Sequence, residues 1–154
     1  MTVTRNSDFK GVVRARMAET GETYTAALAA VEARDHAAYG AARAEQDRLV
    51  ARLFTDGRLA QIPAKRKTRA AALLEVLSRF EPGRDYAEPE VNEVLVGVHE
   101  DFAYLRRELV NYRYLSRAEG VYRVVATAPE RSRIEVQEIP AWEGHWLPGF
   151  VAGH

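Results

Sequence analysis

The sequence predicts a mostly α protein. Its centre is a winged-helix-like unit of three helices and a small β-hairpin wing, preceded by an N-terminal helical hairpin and a further helix. Three observations carry this expectation. Apolar residues recur at helical spacing through most of the chain. The last strong helical stripe runs straight into a hairpin-sized pattern, "LSRAEGVYRVVA". Glycine or proline stands at most of the junctions between these stretches.

Residues 1–6 read as a loose end. From Ser7 to Glu19, Phe9, Val13 and Met17 fall four apart with Val12 beside them, which makes one helix stripe. "TGET" ends it, because Gly21 can take a left-handed cap conformation and Thr23 can cap the next helix. That helix carries Tyr24, Ala27, Leu28 and Val31 on one face. A third helix is expected over about Ala41 to Thr55, with Ala42, Leu49, Val50 and Leu53 inward, Gly40 breaking its start and "TDG" closing it. Residues 1–55 thus form an alanine-rich helical segment.

The second unit, residues 56–126, opens with "GRLAQI" as a short strand and Pro63 as punctuation. In "AKRKTRAAALLEVLSRF", Ala70, Leu73, Leu74, Leu77 and Phe80 share one side of a helix. "EPGRD" is a turn. A helix from about Glu88–Pro89 carries Val91, Val94, Leu95 and Val98 at i, i+3, i+4, i+7. In "HEDFAYLRRELVNYRY", Phe102, Leu105, Leu109 and Tyr112 make the inward stripe, and Glu100–Asp101 supply the acids favoured at a helix start. Two strands around Glu119–Gly120 close the unit. The order strand, helix, helix, helix, hairpin is read as a winged helix. Residues 127–154 are expected as an extended aromatic tail. "RIEVQEI" alternates as an edge strand would, and Trp142, Trp146 and Phe150 need an anchor on the helical unit or on a partner.

Composition excludes several function classes. The chain has no cysteine, so disulfides, thiolate catalysis and cysteine zinc sites are out. His36, His99, His145 and His154 show no ligand spacing, and "HED" at His99 lacks the second histidine of a zinc helix. No glycine-rich phosphate loop or nucleophile elbow is present. The N-terminus has no apolar h-region and no run approaches a membrane span, so the expected location is the cytoplasm, without a membrane partner. The expectation is a non-enzyme without cofactor or metal.

With 22 basic and 22 acidic residues, total charge gives no argument for a polyanionic partner, and only local clustering can. Two clusters qualify. Lys65, Arg66, Lys67 and Arg69 crowd the first turns of a helix, where the macrodipole is already positive and no acid lies within the run; an anion such as phosphate would relieve this. On the later helix, Tyr104, Arg107, Glu108 and Asn111 share the outward face. Arginine and asparagine there can bond guanine and adenine edges, while Arg106 and Arg113 flank the face for backbone phosphates. Arg117 and Arg123 on the hairpin would extend the strip as a wing contact. The bland alternatives are a solvated basic patch and an exposed helix laced with Arg–Glu pairs.

The elements "GRL.QIPAKRK", "FEPGR.Y.E.EVN..L", "H.D...LRRELV.Y..L.R" and a closing "YR" resemble the bacterial domain-of-unknown-function family 2087 (DUF2087) over about residues 54–123. Ala87 stands where that family tends to have a capping threonine or serine, and Tyr114 where a glycine or similar residue is usual. The resemblance implies a regulatory context, since members occur alone or fused to DNA-binding regulator domains. It carries no catalytic residue. It offers Lys65, Arg66, Lys67, Arg106 and Arg107 as candidate binders, although Arg106 or Arg107 could instead pair with Glu90, Glu93 or Asp101 inside the domain. The expected function is therefore nucleic-acid binding by a DNA-binding transcriptional regulator, with a homodimer as a possible assembly. The alternatives are an RNA- or ribosome-associated factor, and a protein-interaction module anchored through the aromatic tail.

Overall fold

The computed structural model describes residues 2–153, with side chains from Phe9 onward. It divides into two compact units, with the boundary between Ala41 and Ala42. Among the described residues, no helix is long and apolar enough to cross a membrane.

The first unit is built from α1 (Thr2–Thr20) and the first half of α2 (Tyr24–Leu53). The turn between them follows the sequence. Gly21 takes φ +73° and its N–H donates to the Met17 carbonyl at 2.9 Å, while the Thr23 hydroxyl accepts from Ala26 N–H at 3.3 Å. Val13, Ala27 and Val31 are buried together, with Phe9, Met17 and Leu28 packed around them. Two expectations fail here. The residues read as a loose end are helical from Thr2. Gly40 does not break α2, which runs on as one helix to Leu53. A helical glycine costs only about 1 kcal/mol against alanine, and the alanines on either side of Gly40 favour continuation.

In the second unit, β1 (Phe54–Thr55) and β2 (Arg58–Leu59) form a small hairpin. Asp56 (φ 51°) and Gly57 (φ 79°) make its two-residue turn, both in the left-handed region that matches strand twist. "TDG" therefore ends no helix, and "GRL" belongs to a sheet of its own. Then follow α3 (Arg66–Leu77), β3 (Tyr86–Ala87), α4 (Glu88–Val96), α5 (Phe102–Asn111), β4 (Leu115–Ala118) and β5 (Val121–Val124). The strand that joins the later hairpin is β3, in an antiparallel sheet of order β3-β5-β4, with Tyr86 opposite Tyr122 and Leu115 opposite Val124. A two-residue strand beside a Pro-Gly turn leaves too short an alternation to be read from sequence.

The helical stripes hold. Ala70, Leu73, Leu74, Leu77 and Phe80 are buried along and just beyond α3, Val91, Leu95 and Val98 on and after α4, and Leu105 and Leu109 on α5. Asp101 caps α5, its carboxylate accepting from Tyr104 N–H at 3.3 Å. The residue after α5 and its cap is Arg113, at φ 62°. The strands meet at Glu119 (φ 52°) and Gly120 (φ 77°), as the sequence predicts.

The C-terminal segment is not extended. A 3-10 turn, Glu135–Glu138, replaces the expected edge strand, and α6 (Glu143–Val151) follows. The cause is local. Ser132 N–H donates to the Glu135 carboxylate and Glu135 N–H to the Ser132 hydroxyl, each at 3.2 Å, a reciprocal cap that closes a turn where a strand would need extended backbone. The aromatic anchor expected of this segment is internal. Trp146 and Leu147 are buried, and the Trp142 indole donates to Gln46 at 2.7 Å. Gln46 is itself buried and donates to the Ala71 carbonyl, so α2, α3 and the α6 start are tied by one amide.

Candidate nucleic-acid interface

A cleft of about 460 Å³ opens between α5 and the β4–β5 hairpin. Arg106, Arg107, Val110 and Asn111 line it from α5, Arg117 and Tyr122 from the hairpin, and Glu88 from the start of α4. Helical spacing and strand register put four of the sequence's candidates into one concavity. Their electrostatic states differ. Arg106 is mostly buried and occupied: its Nη1 donates to Asn92 Oδ1 and its Nε lies 3.5 Å from Glu88. It is an internal tie between α5 and α4, although its partner is Glu88 and not the Glu90, Glu93 or Asp101 considered from sequence. Tyr122 also donates to Glu88, at 2.8 Å, and burial followed by this contact pushes its phenol up from the usual range. Arg107 is exposed and has no acidic partner among the described residues, and Arg117 rests over the Tyr122 ring at 5.6 Å. Asn111 is exposed and donates to Glu108 at 3.2 Å.

A second recess, of about 300 Å³, lies between α3, α5 and the C-terminal segment. Arg66, Arg69, Asn111, Arg131 and the acids Glu108, Glu135 and Glu138 line it. The acids missing from the run "AKRKTR" arrive here from elsewhere in the chain. Glu138 bonds Arg66, and Glu108 lies 3.7 Å from Arg69. Arg69 Nη1 donates to the Pro63 and Ala64 carbonyls, while its buried Nε has no hydrogen-bond partner. Lys65 is the α3 N-cap and contributes no side-chain cap; it and Lys67 are exposed outside both recesses.

The remaining candidates do not gather. Arg113 bonds the Glu130 carbonyl and the Glu135 carboxylate. It shares with Arg117 a more apolar recess of about 420 Å³ along β4. Arg123 pairs with Asp85, its Nε donating at 2.7 Å. Tyr104 lies outside both basic recesses and is half-buried, and burial, then Glu108, hold its phenol above the usual range.

One cluster escaped the sequence. Arg131 and Glu143 are buried and doubly bonded: Nε to Oε1 at 2.9 Å and Nη2 to Oε2 at 3.1 Å. Nη2 also donates to the Tyr112 carbonyl at 2.7 Å, and the fully buried Tyr114 donates its hydroxyl to Glu143. Burial and the Glu143 charge push the Tyr114 phenol well above its usual range, so the hydroxyl stays a donor. Pairings across these separations leave no local pattern; the only legible signal was the Ser132-x-x-Glu135 spacing of the cap beside them.

Residues 58–124 match the model of a family described as an uncharacterized protein conserved in bacteria, DUF2087. The match starts at β2 and ends with β5, so it contains both sides of the α5–hairpin cleft and excludes the C-terminal segment. It is the family that the sequence motifs resemble. Comparison with curated proteins and with solved structures finds no match.

Proposed function

We propose that this chain is a non-enzymatic nucleic-acid-binding protein of the transcriptional-regulator kind that reads duplex DNA with α5 and the β4–β5 wing. The observation that carries the reading is the α5–hairpin cleft, with Arg107 and Asn111 on the helix and Arg117 on the wing facing one concavity. The winged-helix reading is supported by the order helix, strand, helix, helix, hairpin from α3 to β5 and by the sheet order β3-β5-β4, which sets a hairpin beside the last helix. In this reading α5 enters the major groove, Arg107 and Asn111 meet base edges, and Arg117 meets a flanking phosphate. Arg106 orients α5 and does not contact DNA. Lys65 and Lys67 add backbone contacts.

The two tryptophans are spent on internal packing, which weighs against the C-terminal segment as a docking anchor for another protein. With no net charge, binding rests on local charge and is expected at low salt. The test is a salt series of binding to mixed-sequence duplex DNA and to structured RNA, with Arg107→Glu/Arg117→Glu beside the wild type. Binding to DNA that weakens steeply with salt and is lost in the double variant supports the reading. Preference for RNA moves it to an RNA-binding factor, and no binding to either at low salt refutes it.

A further inference from the structure

We infer that the C-terminal segment is an internal competitor for nucleic acid, its Glu135 and Glu138 carboxylates occupying arginines that a DNA backbone would otherwise engage. The inference rests on the nucleic-acid reading and deepens it. The two recesses meet at Asn111, which lines both, so a phosphate backbone leaving the α5–hairpin cleft along α5 runs toward Arg66 and toward Glu135, the carboxylate that holds Arg113 at the edge of the second recess. Both arginines already hold a carboxylate from the 3-10 turn, Glu138 on Arg66 and Glu135 on Arg113. A carboxylate and a phosphate offer arginine the same pair of oxygens, so one can replace the other.

The turn is built to be displaced. Arg66 and Arg113 are 64% and 49% exposed in their side chains, and exposed ion pairs are weak and salt-screened. Ile134 and Val136, at 74% and 54% exposure, bury little apolar surface, and the buried Ile139 lies at the far end of the turn. The anchor behind it is of another kind: Arg131 and Glu143 are 7% and 3% exposed. Arg131 Nη1 also reaches the Glu135 carboxylate, at a long 3.4 Å, so lifting the turn gives up that contact while the Arg131–Glu143 pair keeps the segment attached. The acids lie beyond the family match, so the competitor is an addition to the matched segment.

The test compares DNA binding of wild type, Glu135→Gln/Glu138→Gln, and Glu32→Gln/Asp35→Asn, which makes the same charge change on exposed α2 residues. The first double variant is expected to bind mixed-sequence duplex DNA about tenfold or more tightly at low salt, because the same phosphate contacts form without displacing a carboxylate. The α2 variant is expected to stay near wild type. Hydrogen exchange should show residues 132–138 deprotected when wild type binds DNA. An equal gain in both double variants, or no gain with unchanged exchange, overturns the inference while DNA binding lost in Arg107→Glu/Arg117→Glu leaves the proposed function standing. No DNA binding by any variant overturns both.

Discussion

Glu143→Leu is the sharpest probe of what holds the second unit together. The carboxylate is 3% exposed in its side chain and accepts from Arg131 at 2.9 and 3.1 Å and from the Tyr114 hydroxyl. Leucine leaves a guanidinium that is 7% exposed without its buried partner and a phenol without its acceptor. Breaking one side of a buried pair costs about 3–5 kcal/mol. For a chain of this size each kcal/mol shifts the melting temperature by about 2–4 °C, so the loss is roughly 6–20 °C. Replacing both ions, as Arg131→Met/Glu143→Leu, removes the uncompensated charge and should recover much of that loss. Urea unfolding followed by tryptophan fluorescence reads this directly, because the two tryptophans of the chain, Trp142 and Trp146, flank Glu143. Single variants within about 1 kcal/mol of wild type, or a double variant whose cost is the sum of the singles, would refute the account, since contacting residues are expected to couple by about 0.5–3 kcal/mol.

Ala87 caps α4 with no side-chain bond, although Glu90 accepts from its N–H at 3.1 Å; Ala87→Ser completes the reciprocal cap and should raise stability by about 1 kcal/mol in the same urea assay. The Ser132 N–H, Arg113 and the Ser132 hydroxyl hold the Glu135 carboxyl down to about 2 from its usual 4.5. A depressed folded value means that its contribution is complete above pH 4.5 and disappears as pH falls toward 2, so hydrogen exchange at residues 132–138 should accelerate across that window in wild type and change less in Glu135→Gln.

The elements that bury a regular stripe were legible. Leu73, Leu77, Leu95, Leu105 and Leu109 are inward because helical spacing leaves them no other face. The turn at Glu119–Gly120 was legible from its residue types. What escaped was nonlocal or weak. Gly40 carries a break signal of about 1 kcal/mol, which neighbouring alanines override. The strand at Tyr86–Ala87 exists because Val121–Tyr122 lies alongside it, a partner that its own two residues do not announce. For the candidate interface, spacing correctly grouped Arg107 with Asn111 on one helix face. It could not show that Arg66, Arg69 and Arg113 face acids, because Glu138, Glu108 and Glu135 come from other elements.

The tie between Tyr114 and Glu143 bears on where this chain can be cut. Tyr114 lies inside the matched segment and is completely covered; its acceptor lies outside, as does Trp142, which reaches back to Gln46. A piece excised at the limits of the family match would lose the Tyr114 acceptor, the Gln46 bond to the Ala71 carbonyl and the buried Leu147. The stretch that matches the family model, residues 58–124, is thus shorter than the second compact unit, and a cut at its limits would separate Tyr114 from the carboxylate that accepts its hydroxyl.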